Sequence, residues 1–256
     1  MLWPIRLALR VAWRLKLIVL AAAAGFAVGM LQIIVAERRS WGVVPADAAR
    51  ALPGDDLITA PDVSDTRSLR IDAPPEAVWP WLAQLGYGRG GWYSYDQIDM
   101  DGSSADVILP EFQSLAEGDV VPTYPDGGFV ARVVEPGKAL VLYLDSELVQ
   151  QQLEAASASE TAASEEPLGL QAAGALGSMS MADFRASWAF SLLPEADGST
   201  RLVERMRFAT GGGGGPLQVA TLPVMGLGVF VMTRKHMLGL KERAERAARE
   251  GGPSET

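Results

Sequence analysis

The sequence predicts an α+β domain, an antiparallel sheet followed by a long C-terminal helix, with one transmembrane helix ahead of it. Three observations carry this. Short runs of alternating apolar and polar residues recur between Pro/Gly/Asp turns, the pattern of half-buried strands. Residues 235–249 are charged and strongly helical. Residues 17–36 (LIVLAAAAGFAVGMLQIIVA) form an uncharged apolar run of the length a helix needs to cross a bilayer.

The elements follow in order. Trp13 and Trp41 flank the apolar run, separated by about 42 Å at helical rise, close to a full bilayer with its interfaces. The run continues well past the small residues 22–24, which argues against a cleavable signal peptide. Arg6, Arg10 and Arg14, with Lys16, make a basic stripe suited to anionic headgroups. Their excess before the span favours a cytoplasmic N-terminus and a main domain outside the cytoplasm, although Arg38 and Arg39 weaken that orientation. Residues 1–40 thus read as a basic N-terminus and transmembrane helix, and residues 41–65, rich in Ala, Pro and Asp, as a linker able to pack on the domain.

A first strand is expected over 66–72. Pro75 fits the first helical position, and Val78, Trp81, Leu82 and Leu85 then share one helix face. Pro80 should kink that helix, and Gly86 is placed to end it. A glycine-rich loop closes on Trp92, Tyr93 and Tyr95. Further strands are expected over 119–123, 129–135, 139–145, 184–193 and 201–210, separated by Pro-Asp-Gly-Gly, Glu-Pro-Gly-Lys and Glu-Ala-Asp-Gly-Ser turns. Between them, residues 146–182 are dominated by Ala, Ser, Glu, Gln and Gly and read as a mostly disordered insertion, with a short helix at ELVQQQLEAA. Five consecutive glycines, 211–215, lead into the C-terminal segment. Residues 211–233 carry no charge, but Pro216, Pro223 and several glycines argue against a second span. Residues 250–256 read as a disordered tail.

The stretch IDAPPEAVWPWLAQLGYGRGGWYSYD, residues 71–96, resembles the SRPBCC superfamily, which includes START lipid-transfer domains, polyketide cyclase-like proteins and birch-pollen-allergen-like proteins. The later pieces GDVVPT, FVARVVEPGKALVL, SWAFSLLP and RKHMLGLKERAE resemble it in the same order. The likeness runs from about residue 41 to residue 249. It implies a helix-grip fold, in which a curved sheet, usually of seven strands, wraps the C-terminal helix over a cavity. It leaves function open, because that scaffold hosts binders, carriers and cyclases.

Charge and composition exclude several classes. Six basic residues against Glu37 put +5 on the first 40 residues, so the overall −9 leaves −14 on the remainder. Such a domain repels phosphate backbones, and no nucleic-acid partner is expected. With no cysteine and one histidine, thiolate and histidine-cluster metal sites are excluded, and no cofactor is expected. Gly86-x-Gly88-x-x-Gly91 matches the dinucleotide string but follows a helix and leads into aromatics, so it lacks the geometry that cradles phosphate. Asp99 and Asp101 suggest a calcium loop, yet Ser104 and Pro110 occupy its required glycine and glutamate positions. His236 reads as a partly exposed helix residue.

The candidate ligand residues are Trp81, Trp92, Tyr93 and Tyr95 from the helix and aromatic loop, with Arg89 and Asp96 as polar contacts. Trp188 and Phe190 share a strand face, as do Glu204, Met206 and Phe208, and Met225 and Met232 come from the C-terminal segment. If the apolar faces point inward, Glu204 becomes a carboxylate in oily surroundings, with a raised pKa; the alternative is a salt bridge to a neighbouring arginine. The reading is a membrane-anchored binder of a hydrophobic small molecule or lipid. Two others stay open: a cyclase/dehydratase-type enzyme using Glu204, Asp96, Tyr93 or Tyr95, or a non-catalytic accessory subunit of a membrane complex.

Overall fold

The computed structural model describes residues 40–99, 102–125, 127–158, 183–211 and 216–250. Along this chain run α1 (Pro45–Ala49), β1 (Val63–Ile71), α2 (Pro75–Ala83), α3 (Asp96–Asp99), a 3₁₀ turn (Pro110–Phe112), β2 (Val120–Tyr124), β3 (Gly127–Glu135) and β4 (Ala139–Asp145). After them come α4 (Ser146–Ala158), β5 (Phe184–Pro194), β6 (Thr200–Thr210) and α5 (Pro216–Glu250). By contacts the chain divides into Met1–Arg38 and Arg39–Thr256. The first unit, with the apolar run 17–36, lies outside the described residues, as do 159–182, most of the five-glycine joint and the tail.

The strands form one antiparallel sheet in the order β1-β6-β5-β4-β3-β2. Antiparallel neighbours joined by short turns explain β2–β3–β4 and β5–β6, and the first strand closes the sheet beside the last. Alternation sends Ile71, Leu140, Leu142, Phe190, Leu192 and Leu202 to one side, where they bury against Val78, Trp81 and Leu82 of α2 and Met237, Leu240 and Ala244 of α5. This sheet with a C-terminal helix packed on it fits a helix-grip fold. Six strands are present among the described residues.

Residues 41–65 are more than a linker. Arg205 on β6 donates to Asp55 Oδ2 at 2.6 Å and to the carbonyl oxygens of Asp47, Ala48 and Arg50. Arg207 reaches Asp55 Oδ1 at 3.1 Å and the carbonyls of Asp55 and Ile58. Two arginines on the outer sheet face thus staple residues 47–58 across it, and Ile58 buries with Tyr143 and Ala209. β1 accordingly begins at Val63, three residues before the sequence suggests.

α5 is a single helix of 35 residues that continues through Pro223. Among the described residues, no helix is long and apolar enough to cross a membrane. That corrects the expected single-pass membrane location with an extracytoplasmic domain. In α5, the charges Arg234, Lys235 and Lys241 interrupt the apolar sequence while the helix continues, and Met237, Leu240 and Ala244 are given to the domain's own core.

Candidate functional site

Strand register brings an unexpected charged group under α5. β6 places Glu204 opposite Phe190 on one side and Arg67 on the other; Met206 lies opposite Trp188 and Asp65. All six point toward α5 by alternation, since they share faces with Leu202, Leu192 and Ile71. Glu204 and Arg67 are fully buried, and Asp65 nearly so.

The indole N–H of Trp188 donates to Glu204 Oε1 at 2.6 Å. Arg67 Nη1 lies 3.9 Å from the same oxygen, and Arg67 Nη2 donates to Asp65 Oδ2 at 3.0 Å. The guanidinium also sits over the Phe230 ring of α5, 5.7 Å from its centroid. Glu204 Oε2 is buried with no hydrogen-bond partner among the described residues. Burial pushes the Glu204 carboxyl up to about 7; Arg67 and the Trp188 bond oppose the shift, and Asp65 adds to it.

His236 completes the group from α5. Its expected partial exposure is wrong: it is 2% exposed. Thr233, His236, Met237, Leu240 and Ala244 follow helical spacing on the inward face, so the histidine goes where that face goes. His236 Nδ1 lies 2.5 Å from the Trp92 carbonyl oxygen. A carbonyl only accepts, so Nδ1 carries the proton and Nε2 is left as an acceptor. Nε2 too is buried without a partner among the described residues. Burial depresses the His236 pKa to about 4, against the raising effect of the Trp92 bond.

Trp188 joins the two. Its ring stacks on Trp92 at 5.3 Å and 13°, and lies 5.5 Å from His236, 5.0 Å from Phe190 and 6.0 Å from Phe129. The sequence-derived residues Trp92, Trp188, Phe190, Glu204 and Met206 therefore meet. Arg67, Asp65 and His236 were missed. The signal for Arg67 was present, because Leu69 and Ile71 fix the inward face of β1 and Arg67 alternates with them.

Of the other candidates, Tyr93 borders the group through His236, their rings nearly parallel at 6.4 Å, and the rest lie elsewhere. Tyr93 turns through a left-handed backbone (φ 53°), unusual outside glycine. Its ring enters the α2 core, donating to the Trp81 carbonyl at 3.0 Å and meeting Trp81 edge-on at 6.0 Å. Tyr95, two residues beyond that turn, is 37% exposed and does not join the group. Phe208 stacks on Phe184 at 6.1 Å, nearer the end of the sheet. Met232 is half-buried, and its carbonyl accepts from Ser94 Oγ at 3.0 Å. The Met225 side chain lies outside the described residues.

Arg89 and Asp96 bond within the loop and the end of α2. Arg89 donates to the carbonyls of Ala83 and Leu85 that α2 leaves open, at 2.8 and 2.9 Å. Asp96 accepts from Ser104 N and Oγ. Gly86, Gly88 and Gly91 all have positive φ, and Gly86 pairs with Gly91, so these glycines make a tight turn. Among the described residues no group of His, Asp and Glu is arranged to hold a metal ion.

The clefts on the described domain include two of several hundred Å³. One, of about 460 Å³, lies over the outer face beside Arg205 and Arg207. The other, of about 630 Å³, lies between residues 50–53, the start of α2 and the β5–β6 turn. Neither is lined by an expected ligand residue. Under α5, burial grades along the strands instead: Phe190, Leu192, Leu202 and Glu204 are buried, whereas Trp188, Met206, Phe184 and Phe208 are half-buried.

No protein-family model and no curated protein matches the sequence. Among solved structures, the chain is similar to protein MLL2253 from Mesorhizobium loti, at 17% identity over 72% of this chain and 98% of that one, with a TM-score of 0.36. It is similar to CalU16 from Micromonospora echinospora at 16% identity, over 73% of this chain and 86% of that one, with a TM-score of 0.28. Ara h 8.0201 matches at 13% identity, over 74% of this chain and 99% of that one, with a TM-score of 0.25. These are distant likenesses. The helix-grip arrangement rests on the sheet order and the packed C-terminal helix.

Proposed function

We propose that this is a binding protein of the SRPBCC type, which takes a hydrophobic small molecule between the sheet and the N-terminal part of α5. One observation carries the reading. The inward face of β5 and β6 changes along its length from a sealed core at Phe190 and Leu202 to a half-buried surface at Trp188, Met206, Phe184 and Phe208. Apolar walls with a few placed polar groups are what small-molecule sites are made of, and Glu204 lies at the boundary between the two zones. Met206 supplies an adaptable wall. The fluorescent probe N-phenyl-1-naphthylamine should bind the full chain with an emission increase, and Trp188→Ala should weaken that binding. No emission change with the wild-type protein, at probe concentrations up to its solubility, would sink the reading.

A catalytic reading has one point in favour: a carboxyl near neutrality is suited to general acid–base work. Catalysis would also need a substrate atom positioned for reaction beside the carboxyl, whereas binding asks only for apolar burial with a polar anchor, so the binding reading stands first.

A further inference from the structure

Two acceptors beside one tryptophan say what kind of molecule the site suits. This inference rests on the binding reading above. Glu204 is fully buried and its Oε2 has no partner among the described residues; His236 is 2% exposed and its Nε2 has none. The two residues sit on different elements, β6 and α5, yet both contact Trp188: one receives its N–H at 2.6 Å, the other packs on its ring at 5.5 Å. Trp188 itself is half-buried, so this pair lies where the sealed core gives way.

A buried polar atom without a partner costs stability, so such atoms commonly mark a site for a bound group. The chemistry of that group can be narrowed. His236 Nε2 can only accept, because Nδ1–H is committed to the Trp92 carbonyl. Glu204 Oε2 accepts when ionised and donates when protonated. An ether or ketone oxygen serves only the protonated acid and leaves the histidine unpaired. A hydroxyl has one proton to give: it donates that to the histidine and accepts from the protonated acid, and so serves both atoms together in that form.

We propose that the ligand is an apolar molecule bearing a hydroxyl, a phenol or a ring alcohol, held by Glu204 and His236 with its ring against Trp188. Met206 and Phe230 border the same group through Arg67, with Met206 Sδ 3.7 Å from Nη1 and the guanidinium over the Phe230 ring. Met206 is flexible, so entry there requires only rotamer changes.

Isothermal titration of the full chain with 1-naphthol, 1-methoxynaphthalene and naphthalene tests this without any variant. The three share a ring system and differ in donating a hydrogen bond, only accepting one, or neither. The expected result is 1-naphthol at least tenfold tighter than both others, since an analogue lacking the hydroxyl leaves the buried histidine acceptor unpaired. His236→Phe keeps an aromatic ring, removes the acceptor and should reduce that preference, whereas Glu204→Leu removes the acid proton and should weaken 1-naphthol and 1-methoxynaphthalene alike relative to naphthalene. Equal binding of all three to the wild type overturns the hydroxyl proposal and leaves an apolar binder. Binding by none of them overturns both. A preference unchanged in His236→Phe, or no loss of either oxygenated probe in Glu204→Leu, overturns the assignment to Glu204 and His236.

Discussion

Glu204 and His236 titrate in opposite senses within the same pH window. Glu204 has a folded pKa of about 7, raised from 4.5, so its contribution to stability is full below pH 4.5 and is lost as pH rises through 7. His236 has a folded pKa of about 4, depressed from 6.5, so its contribution is full above pH 6.5 and is lost as pH falls through 4. Each shift is worth about 3 kcal/mol. Between pH 4.5 and 6.5 the two slopes have opposite sign and nearly cancel. Glu204→Gln should unmask the histidine and give a protein that loses stability toward acid. His236→Phe should unmask the carboxyl and give one that loses stability as pH rises from 4.5 to 7. Urea melts at several pH values read both slopes; slopes of the same sign in the two variants would contradict the assignment.

The elements were largely legible in the sequence. Five of the six strands lie within a residue or so of where alternation and turn residues put them, and α2 begins at Pro75 as its first-turn chemistry requires. β1 was misjudged at its start because Val63, Ser64 and Asp65 follow an Ala-, Pro- and Asp-rich stretch that reads as loop. What holds that stretch is the Arg205–Asp55 pair, residues 150 positions apart, which no local pattern reveals. The charged group under α5 was half legible. Alternation points Glu204 inward, but its meeting with Arg67 depends on β1 pairing with β6, a register set only by the assembled sheet.

One contact between elements gives a sharp test. A Cβ at Gly239 of α5 would run into the carbonyl oxygen and Cβ of Tyr93, whose backbone is held left-handed in the aromatic loop. A Cβ at Gly228 of the same helix would meet nothing within 4 Å among the described residues. Alanine is the better helix former by about 1 kcal/mol at either position. Gly228→Ala should therefore raise the melting temperature. Gly239→Ala should lower it, by the equivalent of about 1–3 kcal/mol, because the obstructing atoms are backbone or close to it. Equal shifts for the two variants would mean that α5 does not press on the loop.

For the molecule as a whole, the core of the second unit draws on α2, the sheet and α5 together, and Trp41 packs against it. Ser68 N donates to the Trp41 carbonyl at 3.0 Å, so the chain is tied to β1 from its first described residues onward. A chain comprising residues 39–256 should therefore melt in one cooperative transition, with the far-ultraviolet spectrum of an α+β protein. A broad, non-cooperative melt would show that the core needs something more. The expected membrane location was read from residues 17–36, and composition says nothing of how a domain beyond such a run packs. Within the described residues, the apolar side chains of α5 from Met237 onward go to the domain's own core, and no helix meets the length and apolarity of a span.

The stacked indoles also have an optical consequence. Trp92 and Trp188 lie nearly parallel at 5.3 Å, one on the aromatic loop and one on β5. Two identical chromophores so close and rigidly held couple their electronic transitions and give a bisignate circular dichroism band that neither produces alone. Replacing either ring with phenylalanine should abolish that couplet while leaving the peptide bands in place. A molecule lodging against Trp188 must tilt or part the pair, so the couplet should shrink on saturation. The protein then carries its own spectroscopic readout of occupancy, and unknown extracts can be screened with no added dye.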